Sequence, residues 1–473
     1  MVCPSPRSRR VIDESNTPNA RDIAHHLHPF TNLKTHQDQG PLIIDRGEGV
    51  YLYDAQGRGY IDAMASLWCV ALGYSESRLV EAAAKQMQRL PFSHTFRGRS
   101  HDPVIDLAEE LLALAPVPMS KVLFANSGSE SNDTAVKLAW YYNNARGKPD
   151  KRKVIARKGG YHGTTIATAS LSGMLELHRD FNLPIADIRF ADCPHHYRYA
   201  EPGEYPQDFA TRMADNLERL ILDEDPETVA AFIAEPVMGV GAVIVPPPTY
   251  FEKIQAVLRK YDVVFIADEV VCGFGRTGNL FGSQTFDIRP DMLTVAKSLS
   301  SAYQPISALM VSDPIYQAMV SESEALGVFG HGHTYSGHPV CAAVAKEALR
   351  IYEERDIVGH VRRVAPRLQD GLRALGERPL VGEVRGIGLM AAVELVADKE
   401  SKAPFDPKLG VGTYLMTRAE AHGVFVRAVG DSVVFAPPLV ITEEELEELL
   451  ARFTLALADT EAAIAGGDVR SDT

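Results

Sequence analysis

Residues 263–297 read VVFIADEVVCGFGRTGNLFGSQTFDIRPDMLTVAK and contain two short apolar runs that end on charged residues. The first run ends at Asp268 and the second ends at Lys297. Short apolar runs bounded by turn residues are typical of strands buried in a sheet. If both strands end at the same edge of one sheet, that edge receives a carboxylate and an amine.

Lys297 is a candidate nucleophile, because a free amine can form a Schiff base with a carbonyl compound. Desolvation at the end of a buried run disfavours the ammonium form. Taken alone, a strand-end lysine is more often one that reaches into solvent. Asp268 changes that balance, since a buried carboxylate can keep the ring nitrogen of a pyridoxal cofactor protonated. A carboxylate that caps the following turn is the alternative for Asp268.

Residues 124–132, FANSGSESN, indicate an anion site where a strand passes into a helix. Gly128 lets the backbone come close, and Ser127 and Ser129 offer hydroxyl groups. The first turn of the helix points free N–H groups and a positive dipole end at the ligand. The same residues can act as a helix N-cap, and the two interpretations are compatible.

Tyr161 lies between glycines in residues 159–163, GGYHG, just after a predicted strand at residues 153–156. A ring in this position can lie flat on a flat cofactor. Offset stacking of two rings contributes about 1 kcal/mol beyond the burial of their surfaces. A lone tyrosine in a turn is more often surface packing.

These stretches, taken in order, resemble the class III pyridoxal-phosphate aminotransferases of fold type I, and within them the omega-transaminases, or amine:pyruvate aminotransferases. The resemblance spans nearly the whole chain and rests on residues 62–69, 126–130, 160–163, 234–236, 268–278, 296–297 and 333–339. It implies an α/β fold with a large domain, built on a mainly parallel sheet, and a smaller α+β domain. It also implies pyridoxal 5'-phosphate as the cofactor.

The resemblance implies roles for residues at matching positions. Lys297 is expected to be the Schiff-base lysine and Asp268 the partner of the ring nitrogen, with Tyr161 and Val270 on the two ring faces. The other expected cofactor-binding residues are Ser127, Gly128, Ser129, His162, Glu235 and Thr334. Thr334 is expected to reach the cofactor phosphate of the neighbouring subunit, which implies a homodimer with shared active sites. Whether dimers pair into tetramers stays open.

The resemblance also suggests that Trp68, Phe96, His333 and Arg427 bind the substrate. One pocket must accept a keto-acid carboxylate, with pyruvate expected, and an apolar group in the other half-reaction. Arg427 can pair bidentately with the carboxylate and swing out when it is absent. A surface ion pair is the alternative for Arg427. His333 and Ser93 depart from the family pattern, so the preferred amine stays open.

Two other patterns are rejected as functional sites. Residues 273–278, GFGRTG, match a dinucleotide-binding fingerprint, yet no helical period follows them. The histidine groups lack acidic or thiolate companions at ligand spacing, so we expect no metal site. These groups are His25, His26 and His28; His195 and His196; and His331, His333 and His338.

Composition bounds the possible functions. The chain has 473 residues, of which 45% are hydrophobic and 23% charged, as in a soluble globular protein. A net charge of −14 argues against nucleic acid as a partner. Five scattered cysteines argue for a reducing compartment, and we expect a cytoplasmic location. Residues 1–10 lack the apolar run of a secretory signal, and Glu235 and Pro236 interrupt the most apolar window, which excludes a membrane span.

Alternating strand and helix patterns from about residue 74 to residue 345 predict an α/β domain with helices on both faces of a sheet. We assign residues 74–345 to this large cofactor-binding domain and residues 346–473 to a small domain. The family resemblance implies that residues 1–73 pack with the small domain. Residues after about 465 are expected to form a disordered tail.

The resulting hypothesis is an omega-transaminase that transfers an amino group from a primary amine to a keto acid through Lys297. Two alternatives stay open within the family: a transaminase for ω-amino acids or diamines, and an aminomutase, which needs no external acceptor. A pyridoxal-phosphate-binding protein without turnover is disfavoured, because such a protein has no need of an electron sink built from Lys297, Asp268 and Tyr161.

Overall fold

The computed structural model describes residues 17–469. Its strands are, in chain order, β1 (Ile44–Glu48), β2 (Tyr51–Asp54), β3 (Gly59–Asp62), β4 (Lys121–Ala125), β5 (Lys153–Arg157), β6 (Ile188–Ala191), β7 (Val229–Ala234), β8 (Val264–Asp268), β9 (Met292–Val295), β10 (Ser307–Val311), β11 (Val381–Ile387), β12 (Met390–Leu395), β13 (Val424–Phe425), β14 (Arg427–Val429) and β15 (Ser432–Phe435). Its α-helices are, in chain order, α1 (Pro18–His25), α2 (Leu33–Gln39), α3 (Ala65–Trp68), α4 (Ser77–Arg89), α5 (Asp102–Leu114), α6 (Gly128–Ala145), α7 (Ile166–Leu171), α8 (His196–Tyr199), α9 (Pro206–Asp223), α10 (Tyr250–Lys260), α11 (Gly282–Thr285), α12 (Asp313–Leu326), α13 (Pro339–Glu354), α14 (Ile357–Arg373), α15 (Val411–Ala421) and α16 (Glu443–Gly466).

The central sheet has the strand order β4-β10-β9-β8-β7-β5-β6. Strands β6, β5, β7, β8 and β9 pair in parallel, whereas β10 runs antiparallel to both of its neighbours. The predicted mainly parallel α/β sheet is therefore confirmed. The βα pattern does not predict β10. This strand follows Lys297 after too few residues for a helical crossover, so it returns antiparallel.

Helices cover both faces of this sheet, as the sequence predicts. One face packs against α6, α7 and α12, for example through Leu138 and Ile315. The other face packs against α5, α9, α10 and α13. Strands β7 and β8 are buried along their whole length, which is typical of parallel strands covered on both sides.

The carboxyl ends of the parallel strands meet at one edge of the central sheet. The segments at the ends of β4, β5, β7, β8 and β9 carry, respectively, Ser127, Tyr161, Glu235, Asp268 and Lys297. Strand β10 begins at the same edge, with Ser307 opposite Ala125. Open α/β sheets bind their ligands at this edge. The sheet topology thus gathers the residues singled out in the sequence.

Two smaller sheets flank the central one. Strands β11, β12, β15 and β14 form an antiparallel sheet that packs against α14 and α16. Strands β1, β2 and β3 form a second sheet that is completed by β13, because Val424 pairs in parallel with Ile61. A strand from the C-terminal part therefore joins the N-terminal sheet. The division into three segments at residues 73 and 345 stays a prediction.

The C-terminal helix, α16, extends just past residue 465, where the disordered tail is expected to begin. It runs to Gly466 and ends where Gly467 adopts a left-handed conformation with φ 70°. Val469 is only 7% exposed and packs in the core. Residues 466–469 thus lie against the core through Val469, and the disordered tail expected after about residue 465 stays a prediction. Residues 470–473 and residues 1–16, which include the stretch judged not to be a secretory signal, lie outside the described residues.

The glycine-rich stretch at residues 273–278 forms consecutive turns. The next helix, α11, has only four residues, so the long helix of a dinucleotide site is missing from this place. No helix between residues 17 and 469 has the length and apolar character needed to cross a bilayer.

Candidate active site

The loop between β4 and α6 presents unpaired backbone N–H groups. Ser127 caps α6, because its Oγ accepts a hydrogen bond from the N–H of Glu130 at 3.2 Å. The N–H groups of Gly128 and Ser129 have no acceptor within residues 17–469. A Cβ at Gly128 would lie 2.9 Å from Cγ1 of Val270, so only glycine allows this approach. The loop fits a phosphate group.

Hydroxyl groups hold this loop against its neighbours. Ser307 Oγ donates to the backbone oxygen of Ser127 at 2.7 Å. Ser129 Oγ accepts from the N–H of Thr164 at 3.1 Å, which ties the Tyr161 loop to α6. Ser127 and Ser129 act as acceptors in their protein contacts, so their hydroxyl protons stay available to an anion.

Asp268 is a buried carboxylate that is held by three donors. His162 Nδ1 lies 2.7 Å from Asp268 Oδ2, and Asn132 Nδ2 donates to the same oxygen at 2.7 Å. The N–H of Val270 donates to Oδ1 at 3.0 Å. Oδ1 thus keeps a lone pair that a protonated ring nitrogen can use.

Asn132 and Thr294 belong to this network, although the sequence interpretation gave neither a role beside Asp268. Thr294 Oγ1 donates to Asn132 Oδ1 at 2.8 Å and so orients the amide. Asn132 lies four residues after Gly128 on α6, and this spacing places both on one helix face. That spacing is a signal that could have identified Asn132. Thr294 has no comparable local signal.

Tyr161 is positioned by a buried ion pair behind it. Its N–H donates to Glu235 Oε1 at 3.2 Å, and Arg157 Nη2 lies 3.1 Å from Glu235 Oε2. The side chain of Tyr161 packs against an apolar cluster that includes Trp68 and Val271. Burial raises the pKa of the Tyr161 hydroxyl, so the neutral phenol is favoured. Within the described residues Glu235 therefore contacts the Tyr161 backbone, and Arg157 is an additional residue of the site.

Lys297 stands two residues beyond the end of β9 in a strained backbone conformation, with φ 47°. Such a φ in a residue other than glycine costs on the order of 1–3 kcal/mol, and strain of this kind clusters at functional sites. The side chain is half-buried, and its amine has no hydrogen-bond or ion-pair partner within residues 17–469. Burial raises the pKa of the Cys69 thiol, and the positive charge of Lys297 acts to lower it. Because this effect requires proximity, the Lys297 amine lies near Cys69.

Arg427 lies over the face of Trp68, with 5.4 Å between the guanidinium carbon and the ring centre. Burial lowers the pKa of Arg427, and the nearby charges that oppose this shift are Tyr161 and Glu176. No carboxylate forms an ion pair with Arg427 anywhere between residues 17 and 469. The surface ion pair considered as an alternative is therefore not formed among the described residues.

Three of the predicted residues, Phe96, His333 and Thr334, lie apart from this group of contacts. Phe96 is 41% exposed and packs near Gly332, since a Cβ on Gly332 would lie 3.2 Å from the ring. His333 is half-buried, and Thr334 is exposed. The other eleven predicted residues lie along the carboxyl edge of the central sheet or on the segments that contact it.

The sequence predicts that no histidine group has an acidic residue at metal-ligand spacing. This prediction is wrong for the N-terminal histidine group, which includes His28. Asp22, His28 and His36 place ligand-type atoms within 4.8 Å of one another. The helix α1 and the following loop fold back, so residues six and fourteen positions apart meet. His195 also meets two carboxylates, but Arg198 and Arg385 already pair with them.

The chain is similar to known proteins along most of its length. A family model described as aminotransferase class-III matches residues 33–457. The gamma aminobutyrate transaminase 3, chloroplastic, of Solanum lycopersicum is 53% identical over 436 residues, which are 92% of this chain and 84% of that protein.

Two solved structures superpose closely. The omega transaminase from Pseudomonas jessenii in complex with PMP has a TM-score of 0.94 and 54% identity, covering 95% of this chain and 100% of that chain. A thermostable omega transaminase variant has a TM-score of 0.93 and 54% identity, covering 94% of this chain and 99% of that chain. In that variant a tryptophan, a phenylalanine and an arginine were replaced, for asymmetric synthesis of enantiopure bulky amines. The predicted family, fold class and pyridoxal-phosphate cofactor are confirmed.

Proposed function

The chain belongs to the class III aminotransferase family, and from that premise we propose that it is an omega-transaminase that passes an amino group from a primary amine to a keto acid, with pyruvate as the acceptor. The observation that carries this proposal is Arg427. A half-buried arginine over Trp68, without a carboxylate partner in the described chain, suits a substrate carboxylate that is present in only one half-reaction.

The residues at the sheet edge would hold the cofactor. When bound, pyridoxal phosphate supplies a carbonyl that takes the amino group and a ring that accepts electrons. Ser127, Gly128 and Ser129 would bind its phosphate, and Asp268 would keep its ring nitrogen protonated. Tyr161 and Val270 would pack on the two ring faces. His162 and Glu235, predicted to bind the cofactor, would act by holding Asp268 and the Tyr161 backbone in place.

Lys297 would carry out the chemistry. Its amine would hold the cofactor until the amino donor displaces it. The freed Nζ would then take the proton from the donor carbon and deliver it to the cofactor. Its half-buried amine, without a partner among residues 17–469, is free for both tasks.

Arg427 and Trp68 would form the carboxylate side of the substrate pocket. The variant engineered for bulky amines replaces the same three residue types as those of Trp68, Phe96 and Arg427, and the intervals between them are identical in the two chains. That variant was engineered for asymmetric synthesis of enantiopure bulky amines. The parallel supports a substrate-facing role for the three residues here.

Phe96, His333 and Thr334 would serve the active site of a second subunit. Phe96 and Thr334 are exposed and His333 is half-buried, and the exposed rings of Phe92 and Tyr335, which contact each other, lie close to them in the chain. An apolar, aromatic surface of this kind is typical of subunit interfaces. We propose a homodimer in which each subunit completes the other's site, with Thr334 at the phosphate.

A transaminase for ω-amino acids is the second candidate. The relative named a gamma aminobutyrate transaminase is 53% identical to this chain. A carboxylate on the amino donor could use Arg427 in the same way as a keto acid does. In this case both half-reactions would depend on Arg427.

An amino-donor panel with pyruvate tests the proposal. We would measure alanine formation by the purified holoenzyme with 1-phenylethylamine, γ-aminobutyrate and putrescine, each with and without pyruvate. Turnover of the aryl amine that requires pyruvate supports the proposal. Turnover confined to γ-aminobutyrate would favour the second candidate, and turnover confined to putrescine would indicate a diamine transaminase. Conversion without an acceptor would indicate an aminomutase.

We propose a cytoplasmic location. Cys69, Cys193, Cys272 and Cys341 are free thiols, which suits a reducing compartment. The relative from Solanum lycopersicum is named chloroplastic, so an organelle is the alternative. Fractionation of cells that express the full chain would separate the two.

A further inference from the structure

A cluster of imidazole and carboxylate groups lies in the N-terminal segment, away from the sheet edge. Asp22 is on α1, His28 is in the loop that follows, and His36 is on α2. His28 Nε2 lies 2.7 Å from Asp22 Oδ1, and His36 Nε2 lies 3.2 Å from the same oxygen. Two imidazole nitrogens therefore converge on one carboxylate oxygen.

His36 points its Nε2 atom into this cluster, but this nitrogen makes no hydrogen bond to the residues described. The residue is 9% exposed, and Nε2 has no hydrogen-bond partner within residues 17–469. A buried nitrogen without a partner costs about 1–3 kcal/mol. His28 already makes the short contact to the Asp22 carboxylate. Nε2 of His36 is therefore left without a hydrogen-bond acceptor, and a metal ion would give it a partner.

The geometry matches a tetrahedral metal centre. A Zn²⁺ ion bound at about 2.0–2.1 Å by nitrogen and oxygen ligands separates them by about 3.3 Å. The His36–Asp22 separation of 3.2 Å is close to this value, and the His28–Asp22 separation of 2.7 Å needs to open by about 0.6 Å. Imidazole with one carboxylate is a ligand set that suits zinc.

Apolar packing within the chain contributes little to the stability of this segment. Helix α1 buries none of its residues, and His36 is the single buried residue of α2. Helices of eight and seven residues are marginal by themselves in water. A cross-link between them would supply the order that apolar packing does not.

We propose that Asp22, His28 and His36 bind one divalent transition-metal ion of the zinc type, which joins α1 to α2. His26 lies close by, with Nδ1 3.3 Å from Asp22 Oδ2, and either this imidazole or water fills the fourth position. A cleft of about 310 Å³ borders His28 and His36 and gives solvent access to the site. The site is structural and is separate from the pyridoxal-phosphate chemistry.

Metal binding can be measured directly on the tag-free holoenzyme. After dialysis against a chelator, the protein is titrated with Co²⁺, whose visible absorption reports tetrahedral coordination, and with Zn²⁺ by calorimetry. We expect one ion per chain. Since loss of even an outer partner weakens metal binding by roughly 10–100-fold, His28→Ala and His36→Ala should weaken it by at least about tenfold.

His25→Ala is the matched control, because His25 is a neighbouring histidine on α1 outside the cluster. It should bind as the wild type does, and Zn²⁺ should raise the melting temperature of both. Asp22→Asn keeps the shape of the side chain and provides a second test if His36→Ala folds poorly. No stoichiometric binding, or binding that survives in both His36→Ala and Asp22→Asn, would overturn the proposal.

Discussion

His162 Nδ1 lies 2.7 Å from Oδ2 of Asp268, and both side chains are almost fully buried, with exposures of 2% and 3%. Asn132 donates to the same oxygen. Within residues 17–469, Oδ1 accepts from one donor, the N–H of Val270. The carboxylate is therefore held in one orientation, and Oδ1 keeps a lone pair that can accept a further hydrogen bond.

Asp268→Asn should lower kcat by about a hundred- to a thousandfold, the range for removing one fixed electrostatic partner of a reacting group. The cofactor should stay bound, because the Gly128 loop is unchanged. Steady-state turnover and cofactor content by absorbance measure the two effects. Asp192→Asn, at an accessible carboxylate that pairs with Lys158, is the control. A variant with more than a tenth of wild-type kcat would show that Asp268 has another role.

Lys297→Ala should bind the cofactor without a covalent link and lose turnover by at least roughly a thousandfold, because the proton carrier is gone. Reduction with borohydride followed by mass spectrometry should label the wild type at Lys297 and leave the variant unlabelled. Lys260→Ala, at an exposed lysine that pairs with Glu218, should behave as the wild type. Substantial transamination by Lys297→Ala would reject the assignment.

Thr334→Ala should weaken cofactor retention without unfolding the protein, because Thr334 is exposed. Differently tagged Lys297→Ala and Thr334→Ala chains can be combined and the heterodimer isolated. If Thr334 serves the partner, one site of the heterodimer has both residues and should retain cofactor and turn over as a wild-type site does. If Thr334 acts within its own chain, the heterodimer has no intact site and shows no such rescue. A fully active monomer at assay concentration would also reject shared sites.

Arg427→Ala should cost roughly 2–4 kcal/mol in the pyruvate half-reaction, the range for losing the partner of a desolvated charge. The half-reaction with 1-phenylethylamine, which has no carboxylate, should lose much less. Single-turnover absorbance of the cofactor follows each half separately. Arg427→Lys keeps the charge without the planar fork and should recover only part of the loss. Equal losses in both halves, or none with pyruvate, would place the carboxylate elsewhere.

Glu269, next to Asp268, predicts a pH dependence of stability. Burial raises the pKa of Glu269 from 4.5 to about 7, although hydrogen bonds from the N–H groups of Gly282 and Ser283 act to lower it. A carboxyl group with a raised pKa binds its proton more tightly in the folded state. The stability that this proton contributes is present below pH 4.5 and is lost as the pH rises through about 7.

The free energy of unfolding of the wild type should therefore fall relative to that of Glu269→Gln by up to about 3 kcal/mol between about pH 5 and pH 8. Urea unfolding of both proteins across this range gives the difference, in which the other titrating groups cancel. A difference that stays constant, or that changes in the opposite direction, would contradict the shifted pKa.

The sequence by itself determined the α/β class and the residues most directly tied to the chemistry. Apolar runs that end at Asp268 and Lys297 identify two strands and a carboxylate–amine pair, since buried parallel strands and their ends leave a local pattern. The small-residue turn around Gly128 leaves a similar pattern before its helix. The antiparallel strand β10 escaped prediction, because its direction depends on the length of the connection rather than on its own residues.

Only the tertiary structure decided which side chains meet. The contacts of Asn132 and Thr294 beside Asp268, the ion pair of Arg157 behind Tyr161, and the place of Arg427 over Trp68 all join residues far apart in the chain. Asp22 and His36 also meet only through the tertiary fold. The sequence pattern, from which the histidine groups were rejected as metal sites, does not predict this contact. Local patterns record which face of an element is buried. They do not record partners that folding brings from elsewhere, because a hydrogen bond or ion pair depends on distance in space and not on spacing along the chain.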